Sequence, residues 1–125
     1  DFQVESYLRH QGNVFVDRFD ANSYLYLSRA MDYFDLSKQF KNGLVGAFQD
    51  HKTKFLIISF SSDWLYPTKN SKDIVIALNA SRTNVAFAEI KTDKGHDSFL
   101  VNEPEFLETL KGFLASNFEI FKNEK

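Results

Sequence analysis

Two short apolar runs constrain this chain more than anything else in it. Lys54-Phe55-Leu56-Ile57-Ile58-Ser59-Phe60 and Asn84-Val85-Ala86-Phe87-Ala88-Glu89-Ile90 are each about the length of one strand. The first barely alternates, which suits a strand covered on both faces, as in a parallel sheet. Between them, residues 69–80 read as a helix with Ile74, Val75, Ala77 and Leu78 on its apolar side. A strand, a helix and a second strand of these lengths make a parallel crossover unit. After residue 100 the spacing of Phe106, Leu107, Leu110, Phe113, Leu114, Ile120 and Phe121 predicts a last helix with a broad apolar face. Asn102 is its expected cap, with Pro104 in the first turn and Glu105 three residues after the cap.

The part before residue 52 has a different pattern. Val4, Tyr7, Leu8 and Gln11 fall at helical spacing, and Gly12 is the expected stop. Phe15, Val16 and Phe19 then read as a short link. Asp20 is the expected cap of a second helix, in which Tyr24, Leu27, Met31 and Phe34 share one face that should be buried. Asp35-Leu36-Ser37 should break that helix, and residues 38–50 should hold a short helix ending in a polar turn. The expected organisation is a helical segment, 1–51, followed by an α/β segment, 52–125.

Composition narrows the functions open to such a chain. Hydrophobic residues are 43% and charged residues 26%, the balance of an ordinary folded protein rather than a disordered one. No apolar run approaches the roughly 20 residues that cross a bilayer, and the N-terminus lacks the basic start and apolar core of a signal peptide. A net charge of -2 offers no footprint for nucleic acid or an anionic membrane. Cysteine is absent, so thiol nucleophiles and thiolate metal sites are excluded. His10 and His51 show no partner pattern, so no metal site is expected.

The chemistry should gather where parallel strands end. Loops beyond the carboxyl ends of such strands carry the functional groups. The first of these loops holds Asp63 and the second holds His96. Both open on the same sheet edge, and adjacent strands are about 5 Å apart. A carboxylate there can fix the tautomer of an imidazole, whose other nitrogen then takes a proton from a nucleophile. Taken singly, an Asp after a strand also reads as a loop residue or helix cap, and a Gly-His as a turn. Trp64 and Tyr66 read as packing at the strand end. Ser61 and Ser62 adjoin the Asp, but neither has the glycine flanks of a nucleophile elbow.

Three blocks carry a family resemblance. Val4-Glu5-Ser6-Tyr7-Leu8, Gln11-Gly12 and Phe19-Asp20-Ala21-Asn22-Ser23-Tyr24-Leu25-Tyr26-Leu27 with Arg29-Ala30-Met31-Asp32 form the first. Ser62-Asp63-Trp64-Leu65-Tyr66-Pro67 and Gly95-His96-Asp97-Ser98-Phe99-Leu100 are the others. In this order they resemble the C-terminal part of the homoserine O-acyltransferase family, and the resemblance spans nearly the whole chain. It implies the C-terminal portion of an α/β-hydrolase fold, a helical lid segment followed by a parallel strand-helix-strand-helix core. It implies that Asp63 is the triad acid and His96 the triad base; Asp97, beside the base, reads either as a substrate-binding carboxylate for the amino group of homoserine or as a loop residue capping a nearby N–H. The implied reaction moves an acetyl group from acetyl-CoA through an acyl-serine to homoserine, with no cofactor or metal, in the cytoplasm. A succinyl donor, a hydrolase of the same fold and a non-catalytic dimerising fragment are the alternatives. The family's lid helices imply a homodimer.

The nucleophile is missing from this sequence. The glycines are Gly12, Gly43, Gly46, Gly95 and Gly112, and no serine sits between two of them at elbow spacing. The expectation is therefore a piece of a longer enzyme, with the serine and oxyanion hole in a part that precedes residue 1, and inactive alone. A sheet of only two strands points the same way, since it leaves its edges unpaired.

Overall fold

The structure is a computed structural model that describes residues 2–123, with side chains as far as Phe118. It divides into two compact units, Asp1–Asp35 and Leu36–Lys125. The division falls earlier than the change of sequence pattern near residue 51, because the short helices after residue 35 pack on each other and on the helix between the two strands that follow.

The first unit is two helices, α1 (Gln3–Arg18) and α2 (Ala21–Tyr33). Gly12 does not stop α1, and the expected link at Phe15 and Val16 is helical. One glycine costs a helix only about 1 kcal/mol relative to alanine, and no breaker follows it here. The stop comes at Phe19, whose backbone is extended. There Phe15 stacks on Phe19 at 4.8 Å between ring centroids and meets Tyr24 edge-on at 6.4 Å. Asp20 caps α2 as expected, its Oδ1 accepting the Ser23 N–H at 2.8 Å. That bond holds the Asp20 carboxyl below its ordinary value. The expected burial of Tyr24, Leu27, Met31 and Phe34 does not occur: all four are exposed, and no residue of α1 or α2 is buried. Helical periodicity identifies a face that seeks cover, but this unit contains nothing to cover it.

The second unit opens with two short helices, α3 (Leu36–Gln39) and α4 (Gly43–Ala47), in place of the single one expected. Strand β1 (Phe55–Phe60), helix α5 (Thr68–Ala80) and strand β2 (Val85–Ile90) then form the crossover unit. The strands pair in parallel from Phe55 opposite Val85 to Phe60 opposite Ile90. Helix α6 (Pro104–Asn123) closes the chain.

Alternation along the strands assigns the two faces. Ser59 and its partner Glu89 face α5, where Thr68 Oγ1 bonds both, at 3.1 and 3.3 Å. Phe60 and Ile90 face the other way, and Phe60 packs on Phe106 of α6 at 5.7 Å. Helices thus lie on both sides of the two strands, as the first apolar run predicts, but the cover is partial: Phe55–Ile58 are half-buried, and Ala86 and Glu89 are exposed. Phe60, Ala77, Leu78 and Ile90 form the buried core, with Leu78 wholly inaccessible. Among the described residues the sheet has these two strands alone.

Helix α6 begins one residue later than a cap at Asn102 requires. Glu103 precedes its first turn and accepts the Leu107 N–H through its carbonyl at 3.2 Å. With the helix starting at Pro104, Glu103 rather than Asn102 stands at the cap position, and the expected capping box of Asn102 and Glu105 does not form among the described residues. The side chains of Ile120 and Phe121, also expected on the apolar face, lie outside the described residues.

Candidate active site

The backbone leaves β1 at Phe60 and turns at once, with the Asp63 N–H donating to the Phe60 carbonyl at 3.0 Å. That turn brings the Asp63 side chain back over the strand end. Its two oxygens have separate tasks. Oδ1 accepts the backbone N–H groups of Leu65 and Tyr66, at 3.0 and 2.9 Å. Oδ2 is thereby left aimed at His96, whose Nδ1 lies 2.9 Å away. A carboxylate only accepts, so the shared hydrogen belongs to Nδ1; in the neutral form of the ring the electron pair is then on Nε2.

Asp63 is nearly covered, its side chain 6% exposed, while that of His96 is 33% exposed. Burial pushes the Asp63 carboxyl up. The hydrogen bond from His96, the Tyr66 N–H, the His96 charge and the Leu65 N–H outweigh it, and the group ends below its ordinary value. Asp63 is therefore an anion at neutral pH, which is what an orienting carboxylate needs to be. The His96 ring is held by neighbours on two sides. Tyr66 lies 5.0 Å away at 42°, and Phe99 meets it edge-on at 5.8 Å. These residues, with Ser59 and Ser71, border a cleft of about 210 Å³.

Several residues around the pair depart from expectation. Trp64 does not pack the strand end; it is 81% exposed. Tyr66 is also largely exposed, but its ring lies against the imidazole. His96 stands not in an open loop but at the start of a tight 3-10 turn, His96–Leu100. Asp97 follows it in that turn, exposed, with no hydrogen bond or ion pair among the described residues. Ser98 is fully buried.

The residues that pattern reasoning passed over are Ser61, Ser62, Thr92, Lys94 and Glu103. Ser61 Oγ donates to the Thr92 carbonyl at 3.1 Å and accepts the Thr92 N–H at 3.0 Å. Ser62 Oγ accepts the Gly95 N–H at 2.9 Å. Glu103 Oε2 accepts from Thr92 Oγ1 and from Lys94 Nζ, both at 2.9 Å, and Lys94 Nζ also donates to the Asn102 carbonyl at 3.0 Å. The Lys94 and Thr92 bonds hold the Glu103 carboxyl below its ordinary value. The histidine loop is thus tied to the aspartate loop on one side and to the start of α6 on the other. The only sequence signal for this was the density of short polar residues in both loops.

The described residues contain no helix long and apolar enough to cross a membrane.

Comparison with known proteins agrees with the resemblance carried by the three sequence blocks. No family model matches the chain. It is 64% identical over 118 residues to the homoserine O-acetyltransferase of Pelagibacter ubique, covering 94% of this chain and 32% of that protein. It is 59% identical over 121 residues to the enzyme of the same name from Rhodospirillum rubrum, covering 97% and 31%. The corresponding protein of Rhodopseudomonas palustris is 60% identical over 116 residues, covering 93% and 29%. The chain spans about a third of the length of the curated relatives it matches. It is a part-length relative of the homoserine O-acetyltransferases.

Proposed function

We propose that this chain is the C-terminal part of a homoserine O-acetyltransferase and supplies the acid and the base of its Ser-His-Asp triad. The observation that carries the reading is the Asp63–His96 hydrogen bond at the carboxyl edge of two parallel strands. Identity to the acetyltransferases over nearly the whole chain supports the substrate pair. The α/β-hydrolase architecture is part of the same proposal, with further strands extending the two-stranded sheet.

In this reading, a serine from the rest of the protein attacks the thioester carbonyl of acetyl-CoA. His96 Nε2 takes the serine proton as the new C–O bond forms. The tetrahedral adduct collapses, the C–S bond breaks, and the imidazolium returns its proton to the departing thiolate as coenzyme A. In the second half, Nε2 takes the proton of the homoserine hydroxyl, which attacks the acetyl-serine. The serine leaves with that proton and O-acetylhomoserine is released. Asp63 stays ionised throughout and stabilises the imidazolium each time it forms. No cofactor or metal takes part.

Asp97 holds the homoserine ammonium group. It is an exposed carboxylate next to the base, with no competing partner among the described residues. Asp97→Ala in the full-length enzyme should raise KM for homoserine about tenfold, in keeping with one charged hydrogen bond, and leave kcat close to wild type. The two exposed helices of the first unit serve in a homodimer, which sedimentation velocity on the full-length protein would detect. Methionine biosynthesis in the cytoplasm is the corresponding setting.

Product analysis tests the proposal. The full-length protein should make O-acetylhomoserine and free coenzyme A from acetyl-CoA and homoserine. Preference for succinyl-CoA, or release of acetate in place of the ester, would overturn the assignment.

A further inference from the structure

We propose that Ser62 is a positioning residue for His96, acting through the peptide of Gly95. The proposal rests on the reading of His96 as the base.

Gly95 has φ 71° and ψ -152°, a combination that only glycine adopts without strain. This dihedral pair decides the direction in which the chain leaves toward His96. Glycine also has the most freedom to relax out of any given conformation. Something must therefore hold it, and two serines do. Ser62 Oγ accepts the Gly95 N–H at 2.9 Å. On the other side of the residue, the Gly95 carbonyl accepts from Ser98 Oγ at 2.6 Å and from the Ser98 N–H at 3.3 Å.

The placement of Ser62 is specific. It immediately precedes Asp63, and Gly95 immediately precedes His96. The Ser62–Gly95 bond therefore runs beside the Asp63–His96 bond, one residue back on each loop. Loss of the first bond frees the Lys94–Gly95 peptide, and with it the Gly95 φ that sets how the chain turns toward His96, while Asp63 keeps its own backbone bonds to Leu65 and Tyr66. Ser61 provides an internal comparison. It also ties the two loops together, but through Thr92, three residues before Gly95, and it does not touch the His96 turn.

The test uses the full-length protein with Ser62→Ala, Ser62→Thr and Ser61→Ala, and two readouts. The first is kcat and KM for acetyl transfer. Ser62→Ala should lower kcat roughly 10²-fold with KM within about twofold, the effect of a base misplaced by about an ångström. Ser62→Thr keeps an acceptor oxygen and should recover most of that loss. Ser61→Ala should lower the melting temperature but keep kcat near wild type. The second readout is the low-field NMR resonance of the His96 Nδ1 proton, which needs no turnover. It should broaden or vanish in Ser62→Ala and persist in Ser61→Ala and Ser62→Thr.

Wild-type kcat together with an unchanged resonance in Ser62→Ala would overturn the proposal. So would equal loss of kcat in Ser61→Ala and Ser62→Ala in step with their melting temperatures, since that describes general loop stability. If the wild-type protein transfers no acetyl group, the acyl-transfer reading fails, and the resonance alone decides whether Ser62 orders the histidine.

Discussion

The two units of this chain are built from similar residues and reach opposite states. Leu36–Lys125 buries Leu78 and Ile90 almost completely and ties its loops together with side-chain hydrogen bonds. Asp1–Asp35 carries a full apolar stripe and buries nothing. Periodicity therefore says which face of a helix wants cover, and topology says whether the chain provides it. In the second unit, the crossover helix α5 lies on one side of the two strands and α6 on the other. In the first, two helices meet mainly through aromatic rings around Phe15.

Six substitutions, in four tests, would challenge this contrast. The largest effect belongs to the site. Asp63→Asn in the full-length enzyme should lower kcat roughly ten-thousand-fold, because an amide no longer enforces the Nδ1–H tautomer. Steady-state assays would show it, while Tyr26→Ala in the first unit should change kcat little. Next comes packing. Leu78→Ala should cost about 2–5 kcal/mol in urea unfolding of this chain, the range for emptying a fully buried leucine. Leu27→Ala on the exposed stripe should stay within about 0.5 kcal/mol. Equal costs would mean that the first unit is covered after all.

Acid titration gives a smaller effect. The Asp63 and Glu103 carboxyls sit below their ordinary values in the folded chain. A group lowered in this way binds protons more readily when unfolded. Its contribution is whole above the ordinary carboxylate range and is lost as pH falls through the lowered value. The second unit should therefore lose stability in that acid window, and Glu103→Gln should flatten the decline. Urea midpoints measured from neutral to acid pH would show whether the slopes differ. The smallest effect is expected for Asp20→Ala. It removes the α2 cap and should reduce the helicity seen by circular dichroism without altering the second unit.

Much of the second unit was legible in the sequence. The strand runs matched to within a residue, since few alternatives exist for a short apolar run between turn signals. Asp63 and His96 could be paired because parallel strands bring consecutive loops to one edge. The rest depends on partners far apart in the chain. Gly12 reads as a stop until the continuing helix on either side of it is weighed. Asn102 reads as a cap, yet the helix starts at Pro104, and the bonds of Glu103 to Thr92 and Lys94 lie outside any local pattern. Ser61 and Ser62 bond to residues about thirty positions away, and no local pattern announces such bonds.

If Asp63 and His96 are the acid and base of a serine-dependent acyl transfer, the nucleophile lies outside residues 1–125. This can be tested by incubating the full-length protein, wild type and His96→Ala, with acetyl-CoA alone, and mapping the acetylated peptide by mass spectrometry. The wild type should carry an acetyl group on a serine outside these residues, and the variant none. An acetyl group on a residue within 1–125, or equal labelling in His96→Ala, would contradict it.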